Sequence, residues 1–142
     1  MTNQVLKVTI AAVLLLNGFG HLGAMGGIFY HQARNSTGDW LSDRSWLIPS
    51  MDPQTARTVA IVFWVVAATG FVLAALGFWG ISVLASSWQW IAVVSATVST
   101  VGIVLFFGTW PLTNTLAALG INVAVLVTQL WMDWPAQEFF TS

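Results

Sequence analysis

Long apolar runs separated by short polar segments dominate the chain. From Thr58 to Met132 there is no Asp, Glu, Lys or Arg, a stretch of 75 residues. Because a membrane-spanning helix needs about 20 apolar residues, three spans and their turns fit within that stretch. The uncharged run Val8–Tyr30 supplies a fourth span and is longer than the apolar region of a secretory signal peptide.

The pattern predicts an all-α integral membrane four-helix bundle with up-down-up-down topology, formed as one transmembrane domain over residues 1–142. Helices are expected because backbone groups in lipid need partners within their own element. Asp52 suits an N-cap and Pro53 the first helical turn, while Pro111 and Pro135 interrupt helices. The predicted spans are about Val8–Tyr30, Val59–Trp79, Ile91–Gly108 and Thr113–Trp131.

The first connection, residues 32–57, is the one long connection and mixes charged with large apolar residues. We expect it to cap the bundle, either as a short helix in the membrane interface or as a surface loop anchored by tryptophan. Tryptophan collects at the boundary between lipid and water. Eight of the nine are therefore predicted as interface anchors: Trp40, Trp46, Trp79, Trp88, Trp90, Trp110, Trp131 and Trp134.

The amino-acid composition argues against several kinds of functional site. Of the residues 57% are hydrophobic and 6% charged, against about 25% charged in soluble domains. The absence of cysteine removes disulfides, iron–sulfur clusters and thiolate metal sites, and a net charge of −1 gives no basis for nucleic-acid binding. All five acidic residues lie outside the predicted spans, which argues against a carboxylate proton relay or a metal site in the membrane.

Asn17 and His21 are polar residues near the middle of the first span. Anchoring at the membrane surface does not explain them there. Four residues apart, they share one helix face, and an ionisable residue within a span marks a candidate functional site. Around them Gly20, Gly23 and Gly27 leave little side-chain bulk. Such small residues let another helix approach closely, so these glycines are predicted helix-packing positions.

Polar partners for this face occur in the later spans. Thr115, Asn122 and Gln129 recur every seven residues and form a polar seam, while Ser95 and Ser99 repeat at a spacing of four. Two interpretations stay open: hydrogen bonds that only join helices, each contributing about 0.6–2 kcal/mol, or a ligand or proton-handling site. The candidate ligand-binding residues are Asn17, His21, Ser99 and Asn122.

The run from Leu14 to Leu22, which contains Gly18-Phe19-Gly20-His21-Leu22, resembles the first helix of the DoxX-like membrane proteins, where a Gly-x-x-His-Leu element is common. The resemblance covers about the first thirty residues and the number of helices. It implies a small bacterial-type membrane subunit, sometimes tied to quinone-linked redox complexes, and gives Gly18 and His21 possible importance. The chain departs from the pattern in lacking an arginine within the first helix.

The function we expect first is a noncatalytic accessory or assembly subunit that packs against a larger membrane complex or against itself. The alternative is a DoxX-like subunit that binds a quinone or another lipophilic ligand near His21; a small transporter or channel has less support. The sequence requires no cofactor, and axial ligation of haem or chlorophyll by a single histidine stays open. Three of the four Lys and Arg residues lie in the first connection, which favours a cytoplasmic location for it in an inner membrane.

Overall fold

Within the described residues every regular element is a helix. The computed structural model describes residues 3–34, 45–108, 110–132 and 134–135, and the side chains of all of these except 28–34. Four of the helices are long and apolar enough to cross a membrane, which confirms the predicted bundle of a small integral membrane protein. The helices are α1 (Asn3–Arg34), α2 (Pro53–Phe78), α3 (Ser82–Ala85), α4 (Trp88–Leu105) and α5 (Leu112–Leu130).

The start of α2 follows from its first residues. The carboxylate of Asp52 accepts a hydrogen bond of 3.0 Å from the backbone N–H of Thr55, and Pro53 occupies the first helical position. The predicted N-cap is therefore confirmed. Hydrogen bonds from Thr55, first from its hydroxyl and then from its backbone N–H, hold the pKa of Asp52 below its ordinary value.

The helices pack in the order α1, α2, α4 and α5. α1 lies along α2, α2 along α4, and α4 along α5, whereas α1 and α5 meet at few residues. The short α3 lies in the connection between α2 and α4, which the sequence predicts only as a turn rich in glycine and serine. The bundle is therefore closed along three helix pairs and left largely open between its first and last helices.

The interior of the bundle combines small and polar residues with a few large rings, and many large aliphatic side chains lie on its outer surface. Eleven alanines among the described residues are buried, together with Asn17, His21, Ser99 and Asn122. Large side chains such as Leu16 and Leu116 point outward and are 69% and 58% exposed. This arrangement suits lipid as the solvent, because apolar surface costs nothing there and small residues let helices approach closely.

Glycine sets the closest approach between α2 and α4. A Cβ atom on Gly70 would lie 2.0 Å from Ser95 Oγ and 3.0 Å from Ser95 Cβ. The Ser95 hydroxyl itself donates to the carbonyl of Ile91, one turn earlier in α4. α1 approaches α2 in the same way, since a Cβ on Gly18 would meet the carbonyl oxygen of Ala68 at 3.1 Å.

The described end of the first connection covers the carboxyl end of α4. Ser45 is buried and donates from its hydroxyl to the carbonyl of Leu105 at 2.9 Å, and the indole N–H of Trp46 donates to the carbonyl of Val104. These carbonyls belong to the last turn of a helix and have no partner within it. Residues 45–52 form turns without a helix, and the rest of the predicted interfacial helix, with Trp40, lies outside the described residues.

We predict that Gly70→Ala destabilises the bundle, because the added Cβ has no space beside Ser95. The expected loss is about 1–3 kcal/mol of unfolding free energy, as for other overpacked cores, measured by denaturant titration in mixed micelles. Gly120→Ala in α5 is the matched control, since nothing lies within 4 Å of a Cβ at that position. Equal stability of the two variants would contradict this account of the contact between α2 and α4.

Candidate functional site: a buried histidine cluster

The face of α1 that carries Asn17 and His21 points into the bundle. His21 is 0% exposed and Asn17 is 6% exposed. Their spacing of four residues places both on the side that packs towards the other helices, as expected from helical geometry. The structure also buries Ser99 on α4 and Asn122 on α5 completely.

These four side chains form one continuous hydrogen-bonded chain. The Nδ2 of Asn17 donates to the Oδ1 of Asn122 at 3.3 Å, and the Nδ2 of Asn122 donates to the Oγ of Ser99 at 2.7 Å. The Oγ of Ser99 lies 3.0 Å from the Nε2 of His21. α1, α4 and α5 are thus tied together, because Ser99 on α4 contacts both His21 on α1 and Asn122 on α5.

The direction of this chain favours one tautomer of the imidazole. Asn122 donates to Ser99, so the hydroxyl of Ser99 acts as an acceptor on that side. Its own hydrogen is then available for Nε2 of His21, and we assign the neutral tautomer in which Ser99 makes this bond and the ring proton lies on Nδ1. In this tautomer Nδ1 is an N–H donor on the side away from Ser99.

Three aromatic rings surround the imidazole. The ring of Trp64 from α2 is nearly parallel to it, with centroids 5.6 Å apart and an interplanar angle of 6°. Phe71, also from α2, lies at 6.0 Å and 15°. Trp110, from the connection between α4 and α5, lies at 5.0 Å and 34° and is stacked 5.0 Å from Trp64. α2 thus adds no hydrogen bond to the polar chain but supplies two of the three rings around the imidazole.

A glycine on α4 makes room for the central tryptophan. A Cβ on Gly102 would lie 3.0 Å from Cζ3 of Trp64 and 3.0 Å from Cβ of Phe63. Trp64 is 1% exposed and packs in a cluster with Ala56, Ala60 and Ile103. Small residues on both sides therefore let a large indole lie flat inside a bundle of narrow helices.

Three buried nitrogen atoms in this cluster lack a hydrogen-bond partner among the described residues. They are the Nδ1 of His21 and the Nε1 atoms of Trp64 and Trp110. An unsatisfied buried donor costs about 1–3 kcal/mol, and lipid offers no water in exchange. The cluster thus has more donors than its own side chains can satisfy, and a molecule with an acceptor atom would correct that imbalance.

The glycines that the sequence predicts as helix-packing positions do not belong to the histidine cluster. No described atom lies within 4 Å of a Cβ built on Gly20, Gly23 or Gly27, so these positions do not pack against another helix of the described residues. In the polar seam of α5, Thr115 is buried and its hydroxyl lies 3.3 Å from the carbonyl of Pro111. Gln129 donates to the carbonyl of Trp134.

The predicted tryptophan anchors divide into two groups. Trp46, Trp79, Trp90 and Trp131 are exposed, between 59% and 89%. Trp88 is instead buried against Phe78. Trp110 turns its ring towards His21 rather than outward, and Trp134 is partly buried.

Sequence reasoning missed the rings of the site. It assigned no ligand role to any tryptophan, yet Trp64 and Trp110 form two walls of the cluster. A signal was present for one of them: Trp64 is the tryptophan that falls within a predicted span, away from both membrane faces. Trp110 carried no such signal, because Trp110-Pro111 also suits an interfacial turn.

The donor set does not suit a metal or a macrocycle. Among the described residues no three His, Cys, Asp or Glu side chains come together. Haem or chlorophyll on His21 does not fit this packing, because Nε2 is bonded to Ser99 and aromatic rings lie around the imidazole at 5.0–6.0 Å. The site suits a small atom group such as a carbonyl.

Comparison with known proteins adds no family: no family model, no curated protein and no solved structure matches the chain. The resemblance to the DoxX-like proteins therefore stays a prediction based on the first helix.

We predict that Asn122→Leu destabilises the bundle because it removes two hydrogen bonds and leaves Asn17 and Ser99 with a buried polar atom each. The expected loss is about 1–3 kcal/mol of unfolding free energy, measured in mixed micelles. Asn114→Leu is the matched control, because Asn114 is exposed in the first turn of α5. If Asn122→Leu is as stable as the control, the polar chain does not hold α1, α4 and α5 together.

Proposed function

We propose that this small membrane protein binds a lipophilic molecule with a carbonyl group at the His21 cluster. The observation that carries the proposal is the set of three unpartnered N–H donors, on His21, Trp64 and Trp110, within rings whose centroids lie 5.0–5.6 Å apart. Donors without acceptors in lipid select a ligand that brings the acceptor.

The surroundings of the cluster restrict the ligand to one that partitions into lipid. His21 and Trp64 are 0% and 1% exposed, so a molecule that reaches them is enclosed by the bundle. Alanine and aromatic side chains form the enclosure. A hydrated or charged molecule would lose its solvation here without compensation, because no charged side chain belongs to the described part of the cluster.

The orientation of the rings indicates which kind of head group the proposed ligand has. The rings of Trp64 and Phe71 are each within 15° of parallel to the ring of His21, and flat conjugated rings favour offset stacking on aromatic faces of this kind. A flat ring with a carbonyl oxygen combines both requirements, which makes a quinone the class of ligand we propose. The resemblance of α1 to the DoxX-like proteins supports the same choice.

We predict that the protein purified from its native membrane in mild detergent retains such a molecule, seen as added mass in native mass spectrometry and identified after solvent extraction. Trp64→Phe and Trp110→Phe keep a ring but remove an N–H donor, so each should lower occupancy about tenfold, the effect of one hydrogen bond. His21→Ala should abolish retention. Trp90→Phe is the control, because Trp90 is 67% exposed.

Two outcomes would contradict the proposal. The first is wild-type protein with no added mass, since buried water could then satisfy the three donors. The second is a retained molecule whose occupancy is the same in Trp64→Phe, Trp110→Phe and the Trp90→Phe control. Measured unfolding free energies of the variants separate lost binding from lost folding.

An accessory subunit is the second candidate, and the open glycine face of α1 favours it. Within the described part of the chain, no contact requires glycine at Gly20, Gly23, Gly26 or Gly27, although each weakens a helix by up to about 1 kcal/mol relative to alanine in soluble peptides. A helix of another subunit could approach closely there. The native mass decides this as well: a stoichiometric second membrane protein or further copies support it, and a lone chain contradicts it.

A further inference from the structure

The open side of the bundle between α1 and α5 forms a groove in the half of the molecule away from His21. Its volume is about 190 Å³. Val13 and Leu14 line it from α1, and Ile121 and Val125 from α5, with Ala92 of α4 behind them. The hydrogen bond between Asn17 and Asn122 lies about one turn beyond Val13 and Leu14 on α1 and next to Ile121 on α5. The other end of the groove reaches Gln129 and Trp134 near the carboxyl end of α5.

Gln129 presents an unused acceptor at this groove. The nitrogen and the oxygen of its amide can be told apart, because Nε2 lies 2.7 Å from the carbonyl oxygen of Trp134 and only the NH₂ group can donate to a carbonyl. Nε2 also lies 3.4 Å from Oγ1 of Thr128. The opposite atom, Oε1, is buried and has no hydrogen-bond partner among the described residues.

The other side-chain hydroxyls of the groove offer no donor either. The hydroxyl of Thr9 donates to the carbonyl of Val5 at 2.8 Å, and that of Thr128 donates to the carbonyl of Ala124 at 2.8 Å. The side chains of Thr9, Thr128 and Gln129 therefore have oxygen atoms that can still accept a hydrogen bond. Among the described lining residues there is no charged side chain, so the missing donor is an uncharged hydroxyl rather than an ammonium group.

We propose that this groove binds a single-chain lipid with an uncharged hydroxyl head, such as a long-chain alcohol. The hydroxyl donates to Oε1 of Gln129 near the membrane face, and the chain lies along the apolar walls towards Asn17 and Asn122. This places the polar head at the end of α5 and the chain in the membrane interior, which is the orientation that an amphiphile takes in a bilayer. Oε1 is covered by its neighbours, so binding includes rotation of the amide about its last side-chain bond, a torsion with broad energy minima. The hydrogen bond from the ligand to Oε1 then replaces the one from Nε2 to Trp134.

This lipid site is separate from the histidine cluster in place and in chemistry. The cluster offers N–H donors at His21, Trp64 and Trp110, whereas the groove offers an acceptor at Gln129. The two proposals can therefore fail independently.

The experiment uses the full chain in phosphatidylcholine nanodiscs with a long-chain alcohol that carries a photoactivatable diazirine near the middle of its chain. The methyl ether of the same probe lacks the hydroxyl donor. After irradiation, mass spectrometry of peptides locates the label. We expect the alcohol to label the groove residues of α1 and α5, and the ether to label them about fivefold less, the effect of losing one hydrogen bond.

Variants test the assigned atoms. Gln129→Leu should lower labelling by the alcohol to the level seen with the ether, and Ala124→Trp should abolish it by filling the groove. Gln54→Leu is the matched control, because Gln54 is exposed in the first turn of α2.

Three results would overturn the proposal. Equal labelling by the alcohol and the ether would mean that the groove accepts any lipid chain. Unchanged labelling in Gln129→Leu would mean that Oε1 does not bind the head. Label outside the groove in the wild type would mean that the probe binds elsewhere. Unfolding measurements on each variant confirm that a loss of label is not a loss of fold.

Discussion

The bundle depends on one constraint: every polar group that lies within lipid must find its partner inside the protein. Asn17, Asn122, Ser99 and His21 meet this constraint together, in a chain of hydrogen bonds at 3.3, 2.7 and 3.0 Å that joins three helices. α2 joins the same centre through the rings of Trp64 and Phe71. The surrounding interior is built from alanine and glycine, so the helices come close enough for these short side chains to reach one another.

The chain of hydrogen bonds also divides the interior into two environments of opposite character. On the side of His21 and Trp110, donors remain without acceptors, and on the side of Gln129 an acceptor remains without a donor. The open contact between α1 and α5 exposes the second environment to the bilayer. The two proposed ligands, a carbonyl compound at the histidine cluster and a lipid alcohol in the groove, correspond to these two environments.

Much of the fold could be predicted from the sequence, because lipid imposes simple rules on it. The gap in charges located the helices, and Asp52-Pro53 located the start of α2. The spacing of Asn17 and His21 gave the inner face of α1. Trp64 carried a signal, because it falls within a predicted span, but its place beside His21 depends on the space that Gly102 leaves on α4. Trp110 carried no signal, because its position also suits an interfacial turn. Periodicity also did not separate Ser99, which bonds His21, from Ser95, which bonds its own helix.

The central claim is that the protein leaves the donors of His21, Trp64 and Trp110 for a bound molecule. A density map of the protein in nanodiscs of its native lipids, at a resolution that separates the rings, tests this most directly. The account predicts non-protein density of a flat molecule with an atom within about 3 Å of Nδ1 of His21. It would be contradicted by a closed cluster in which Nδ1 and both indole N–H groups are bonded to protein atoms.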